Sequence, residues 1–279
     1  KIVYKFPELN NRSIEDHEGR DTITVKEVLA YSSNIGTVKL ALKIGKYPVY
    51  NTLKKFGFGS RFNFDFLKDQ NKGVLKPFEE WDNYSLSSIP IGQEMRSNNL
   101  QLAMAYSAIA NGGYLLEPKL IRKISNSNIK SRPEIIRKVA NNKAISNIVE
   151  ALKLVVEKGT ASKNKIDICY YGKTGTAQVF IQAEEYFDNN GNNKWDDGEE
   201  FIDIDQNGKW TEGGYSNSVY IPSFASVYPC DNPRIACIVS FYNPDVNINT
   251  QNRWASVTAV PVAQNVFKRL KLKDKDLSL

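Results

Sequence analysis

Several absences bound what this chain can be. No apolar run reaches the roughly 18–20 residues needed to cross a bilayer, and Lys1–Lys5 lacks the apolar stretch of a signal peptide. Any membrane anchor or export signal is therefore expected outside the chain. The chain has no initiating Met and starts within sequence of folded character, so it reads as a fragment. One His and three cysteines (Cys169, Cys230 and Cys237) with no CxxC pair argue against a zinc site. The odd cysteine count speaks against a disulfide framework. A Cys230–Cys237 bridge stays open, with burial as small apolar residues the more frequent fate. No basic run interleaves with aromatics, so the net charge of +6 carries no nucleic-acid partner.

What is present suits an ordinary folded domain. In 279 residues, 41% are apolar and 24% charged, enough for one sizeable core or two small ones. Charge is uneven, because residues 184–212 hold ten acids against two bases.

Thr24-Val25-Lys26-Glu27 is a capping box opening a short helix, with Val25, Val28 and Leu29 starting its apolar face and its end near Tyr31. A second helix follows Asn34, carries Val38, Leu40, Ala41 and Ile44, and stops at Gly45. Pro48 suits the first turn of a third, ended by Gly57. Residues 60–95 look irregular, anchored by Trp81 and Tyr84. Helical spacing returns at Leu100, Ala103, Met104 and Ile109, and again from Ile145 to Val156. Ile168–Tyr171 leads a strand into Gly172-Lys173-Thr174-Gly175-Thr176. Ser223–Tyr228 and Arg234–Tyr242 read as a hairpin around Asp231-Asn232-Pro233. Pro261 opens a last helix with Val262, Val266, Phe267 and Leu270. Helices, then strands, then a helix predict an antiparallel sheet covered by helices.

Two short motifs carry the chemistry: Ser32-Ser33-Asn34, at a break between helices, and Lys173-Thr174-Gly175-Thr176, at the end of an apolar strand. Each alone is common by chance, and capping alone accounts for a lone Ser or Asn at a helix start. In this order, separated by a long helical stretch, they match the second and third motifs of the serine penicillin-recognising enzymes. Val25–Gly36, Ile91-Gly92-Gln93, Gln101-Leu102-Ala103, Ala110–Gly113 and Tyr171–Gln178 extend the match. The chain resembles the class B penicillin-binding transpeptidases over residues 12–183 and 215–272.

The resemblance implies an α/β fold of the α+β type: an antiparallel sheet flanked by helices, as in penicillin-binding transpeptidases and serine β-lactamases, incomplete at its N-terminus. Residues 1–279 would then be one partial transpeptidase domain carrying an acidic insert over 184–214. The implied activity is D,D-transpeptidation of peptidoglycan stem peptides ending in D-Ala-D-Ala, with β-lactams as covalent inhibitors. Carried over, Ser32 relays the nucleophile's proton and Asn34 holds the substrate backbone. Lys173 supplies positive potential for the terminal carboxylate. Ser33, Thr174, Gly175 and Thr176 fall at substrate-binding positions. Gly175 leaves room for the peptide, and the Thr176 N–H is half of an oxyanion hole. No cofactor is implied for catalysis. Residues 78–95 look closer to division-type than elongation-type enzymes, which implies division proteins including a glycosyltransferase as partners.

The departure is the nucleophile. The family's S-x-x-K should precede Ser32, and residues 1–31 contain none. Ser127–Lys130 and Ser162–Lys165 have the spacing but the wrong place and context. Rival readings are a β-lactamase or β-lactam sensor, a non-catalytic scaffold that has lost its serine, and a calcium-dependent adhesion module.

That last reading rests on a 15-residue repeat within 184–213. The first unit sets Asp188, Asn190, Asn192, Asp196 and Glu199 at positions 1, 3, 5, 9 and 12 of an EF-hand-like loop, with the Lys194 carbonyl at 7. Position 6 is Asn193, which tolerates positive φ. The second unit has Asp203, Asp205 and Asn207 with Gly208 at position 6, then Thr211 and Gly214 where ligands belong. The candidate Ca²⁺ ligands are Asp188, Asn190, Asn192, Lys194, Asp196, Glu199, Asp203, Asp205 and Asn207.

Overall fold

The computed structural model describes residues 1–62, 71–120, 132–163, 165–204, 206–245 and 247–273. The chain starts with a hairpin, β1 (Ile2–Phe6) and β2 (Arg12–Asp16), whose Phe6 and Ile14 pack under Val38. Helices α1 (Val25–Ala30), α2 (Asn34–Ile44) and α3 (Lys46–Lys55) follow. The expected capping box opens α1, with Thr24 Oγ1 accepting from the Glu27 N–H and a Glu27 carboxylate oxygen accepting from the Thr24 N–H.

The stretch read as irregular contains β3 (Val74–Leu75), the short helix α4 (Asn83–Ser88) and β4 (Met95–Arg96), which pairs with β3. Trp81 is buried as expected. Tyr84 is a correction: it is 53% exposed, its ring face covered by the Arg12 guanidinium at 3.7 Å instead of by the core. Then come α5 (Asn99–Ala110), the pair β5 (Tyr114–Leu116) and β6 (Ile135–Lys138), and α6 (Asn142–Glu157).

The principal sheet is β7 (Tyr171–Ile181), β8 (Gly214–Tyr228) and β9 (Ile235–Ser240), antiparallel in the order β7-β8-β9. Strand alternation divides its side chains between two helical covers. Phe224 and Tyr228 pack with Tyr170 against Ala259, Val260, Ala263 and Phe267 of α7 (Ala259–Lys273). Tyr171 and Val227 face Leu152 of α6, with Tyr106 and Ile109 of α5 alongside. The antiparallel sheet under helices is therefore the α+β architecture read from the pattern. In its last helix Phe267 and Leu270 join the core as expected, whereas Val262 and Val266 are exposed and the smaller Ala259 and Ala263 let the backbone close onto Phe224 and Tyr228.

The cysteines also differ from expectation. Cys169, just ahead of β7, is bonded to Cys230, just after β8, and Cys237 is free. The antiparallel register explains the pairing, since it brings the start of β7 beside the end of β8, Tyr171 opposite Val227.

Candidate active site

The site lies where the α1–α2 break meets the edge strand β7. Ser32 stands between the two helices with φ +56°, a left-handed conformation unusual for a residue with a Cβ. Ser33 is the N-cap of α2, its Oγ accepting from the Gly36 N–H at 2.9 Å. Asn34 begins the helix.

Across from this break, β7 lies at the edge of the sheet, with β8 on one side only among the described residues. Lys173 extends from it, and its Nζ donates to Ser32 Oγ at 2.8 Å and to the Thr174 carbonyl at 2.8 Å. Ser32 and Lys173 are 141 residues apart, so only the fold brings them together. The lysine is half-buried, and desolvation of its ammonium pulls its pKa down to about 8. No carboxylate pairs with it among the described residues. An anionic substrate group would therefore find an uncompensated cation.

Asn34 turns its side-chain amide to donate to the Glu15 carbonyl at 3.1 Å. Ser33, expected to touch substrate, is 7% exposed, and its hydroxyl is spent on the helix cap and on Asp16. The structure gives it a scaffolding part instead. Thr174 shares a short 2.5 Å contact with Thr160, hydroxyl to hydroxyl. Gly175 and Thr176 pair in register with Ser223 and Pro222. A Cβ on Gly175 would meet Ser223 Oγ at 3.0 Å, a close but yielding neighbour.

Two contributors were not read from the sequence. Thr160 bonds its backbone N–H to the Ala30 carbonyl and its side chain to Thr174, tying the end of α1 to the Lys-Thr-Gly strand. The available signal was Gly159, read only as a helix stop. A Cβ there would come within 2.1 Å of the Ala30 carbonyl oxygen. The second contributor is Asp16, whose carboxylate reaches Ser33 and the first N–H groups of α2. The Glu94 N–H donates to Tyr215 Oη at 2.9 Å, fastening the start of β8 to the residue after the Gly92-Gln93 turn.

The insert between β7 and β8 is built on its repeat. Tyr186 pairs with Phe201 in an antiparallel bridge, and Trp195 stacks on Trp210 at 5.2 Å. Asp188 accepts from the N–H groups of Gly191, Asn192 and Asn193, which hold its carboxyl below the usual range, that of Asn193 most strongly. Asn193 has φ +57° and Gly208 φ +74°. Asp196 accepts from the amides of Asn190 and Asn192, and the Lys194 N–H donates to Asn192. Glu199 accepts from the N–H groups of Asn189 and Asp196. In the second unit Asp203 accepts from the N–H groups of Asn207 and Gly208.

There the missing twelfth residue has a substitute. Glu184, 4% exposed, accepts from the N–H groups of Ile204 and Thr211, the two places matching those Glu199 occupies in the first unit. Gly214 plays no such part: it belongs to β8. Asp205 lies outside the described residues, as does Ser127–Lys130. Among the described residues, no group of three or more His, Cys, Asp or Glu is placed to hold a metal ion. The candidate ligand set is rich in asparagine amides.

The family model for the penicillin binding protein transpeptidase domain matches residues 3–197. The probable peptidoglycan D,D-transpeptidase PbpC of Pseudomonas aeruginosa is 31% identical over 61% of this chain and 29% of its own length. Penicillin-binding protein PbpB of Mycolicibacterium smegmatis is 30% identical over 76% of this chain and 30% of its own. The chain thus spans under a third of the length of these curated relatives. Among solved structures, the apo transpeptidase domain of Burkholderia pseudomallei penicillin-binding protein 3 superposes with a TM-score of 0.71 at 23% identity, over 95% of this chain and 70% of that one. With its Ser-Ser-Asn turn facing a Lys-Thr-Gly-Thr edge strand, this chain belongs to the family of penicillin-binding protein transpeptidase domains.

Proposed function

We propose that the chain is part of a serine D,D-transpeptidase that cross-links peptidoglycan stem peptides outside the cytoplasmic membrane, in septal wall synthesis. The observation that carries this reading is the 2.8 Å approach of Lys173 Nζ to Ser32 Oγ beside an open strand edge. The nucleophilic serine comes from an S-x-x-K segment ahead of this chain. Its oxygen attacks the carbonyl carbon of the penultimate D-Ala, and the proton it loses passes through the lysine of that segment and Ser32 to the departing D-Ala amine. An amine of a second stem peptide then takes the acyl group and frees the serine. Lys173 and the Thr174 and Thr176 hydroxyls hold the terminal carboxylate, Asn34 orients the peptide, and the strand edge pairs with its backbone. A β-lactam enters the same acylation through its strained ring amide. The Cys169–Cys230 disulfide supports an oxidising, extracytoplasmic setting.

A fluorescent penicillin tests this on the full-length protein. Covalent labelling of the wild type, lost in Ser32→Ala and Lys173→Ala variants that still melt cooperatively, is the expected result. Undiminished labelling of both variants would remove the reading.

For the insert, we infer two Ca²⁺ loops on one pseudo-twofold unit, Asp188 to Glu199 and Asp203 to Thr211, the second completed by Glu184. The equivalent docking of Glu184 and Glu199 favours it. Trp195 and Trp210 are built-in donors for Tb³⁺ luminescence. Sensitised emission displaced by millimolar Ca²⁺ is expected, and its absence from folded protein would rule the loops out as sites.

A further inference from the structure

We infer that Asp16 is the positioning residue of the Ser-Ser-Asn turn, holding Ser32 and Asn34 where acylation needs them; this rests on the transpeptidase reading above. Asp16 ends β2, and its two carboxylate oxygens are divided between neighbours. One accepts from Ser33 Oγ at 2.5 Å. The other accepts from the N–H groups of Asn34 at 2.6 Å and Ile35 at 3.1 Å. The carbonyl of the preceding Glu15 takes the Asn34 side-chain amide. Consecutive residues of one hairpin strand thus fix the side chain of Ser33, both the backbone and side chain of Asn34, and the backbone of Ile35.

Three features make this a device for positioning more than a generic cap. First, α2 already has its own cap in Ser33, whose Oγ takes the Gly36 N–H, so capping alone does not require Asp16. Second, Ser32 is held at φ +56°, a conformation that a serine leaves unless its surroundings over-determine it. Asp16 grips the three residues that follow and so denies the turn its relaxed alternatives. Third, the carboxylate meets the N-terminus of an eleven-residue helix, where free N–H groups and the helix dipole both favour a negative charge. The hairpin carrying Asp16 is seated on α2 through Phe6, Ile14 and Val38, all buried, so the grip is rigid. Lys173 approaches Ser32 from β7. The Ser32–Lys173 distance is then set by the Asp16 grip on the turn together with the Thr160 link between α1 and β7.

The test uses the full-length protein and a fluorescent penicillin, with reversible binding and acylation resolved by stopped flow. Asp16→Ala is expected to lower the acylation rate constant about 10²-fold, the scale of an ångström-sized misplacement, with the dissociation constant of the initial complex nearly unchanged. Asp16→Asn keeps one oxygen for the two backbone N–H groups but loses the acceptor for Ser33, and is expected to fall between. Fully folded Asp16→Ala and Asp16→Asn, judged by their melts, acylating at the wild-type rate would overturn the inference. A rate loss matched by the unfolded fraction, and recovered on cooling, would also overturn it. Ser32→Ala separates the two claims. If it too acylates normally, the transpeptidase reading itself falls; if it alone is inactive, only the role of Asp16 does.

Discussion

At Lys173 the important quantity is charge. Desolvation sets its pKa near 8, so the ammonium that would bind a carboxylate is lost as the pH rises through that value. Acylation by an anionic penicillin is therefore expected to decline on the alkaline side with a midpoint near pH 8. Lys173→Arg, whose guanidinium keeps its proton, should move that limb upward even if the maximum falls. A flat profile from pH 7 to 10 would show that this lysine is not titrating in the site. Stability has its own sign: the unfolded lysine keeps its proton to about 10.5 and the folded one to about 8. Between those values the unfolded chain binds more protons, so this group makes folding more favourable as pH rises. Lys173 and Ser32 were legible because the motifs restrict their residue types and spacing. Asp16 and Thr160 were not, because any acceptor or hydroxyl brought near by the fold could serve, and spacing says nothing about them.

Among the elements, the bounds of α1 and α2 follow from local signals that act within a turn: the Thr24 box and Gly45. The face of α7 was half-legible: Phe267 and Leu270 pack in the core as read, but Val262 and Val266 look like core and are exposed, and Ala259 and Ala263 do not and are buried. Sequence pattern weighs side-chain size, whereas packing against Phe224 selects small residues where backbone and sheet are closest. Tyr84 was misread for a related reason, since an aromatic ring can be covered by Arg12 at the surface. The junction of α6, α1 and β7 gives a sharper test. Gly159→Ala would press a methyl against the Ala30 carbonyl, with the nearest atom at 2.1 Å. We expect about 1–3 kcal/mol of destabilisation, read from chemical denaturation. Because Thr160 follows directly, acylation should fall as well. Wild-type stability would show that the junction yields freely.

For the whole molecule, the antiparallel order helices–strands–helix was readable, but the disulfide was not. Cys169 and Cys230 are 61 residues apart, and only the β7–β8 register makes them neighbours. Closing a loop of that length is worth about 4 kcal/mol by the chain-entropy estimate. Cys169→Ser in the full-length protein is expected to lower the unfolding midpoint clearly, whereas Cys237→Ser, which removes a free thiol, should not. Equal effects from the two would contradict the assigned pairing. The insert's symmetry was half-visible in the same way: a linear repeat suggested a defective second loop, whereas in the fold Glu184, from before the first, closes it.

The central claim is spatial: Ser32, Asn34 and Lys173 surround the point where an attacking serine oxygen belongs. A crystal structure of the full-length protein acylated by penicillin measures this directly. We expect the ester oxygen of the acylated serine within hydrogen-bonding distance of Ser32 Oγ, with the penicillin carboxylate against Lys173 and Thr176. An adduct on a serine remote from the Ser32–Lys173 pair, or no adduct at all, would contradict the account.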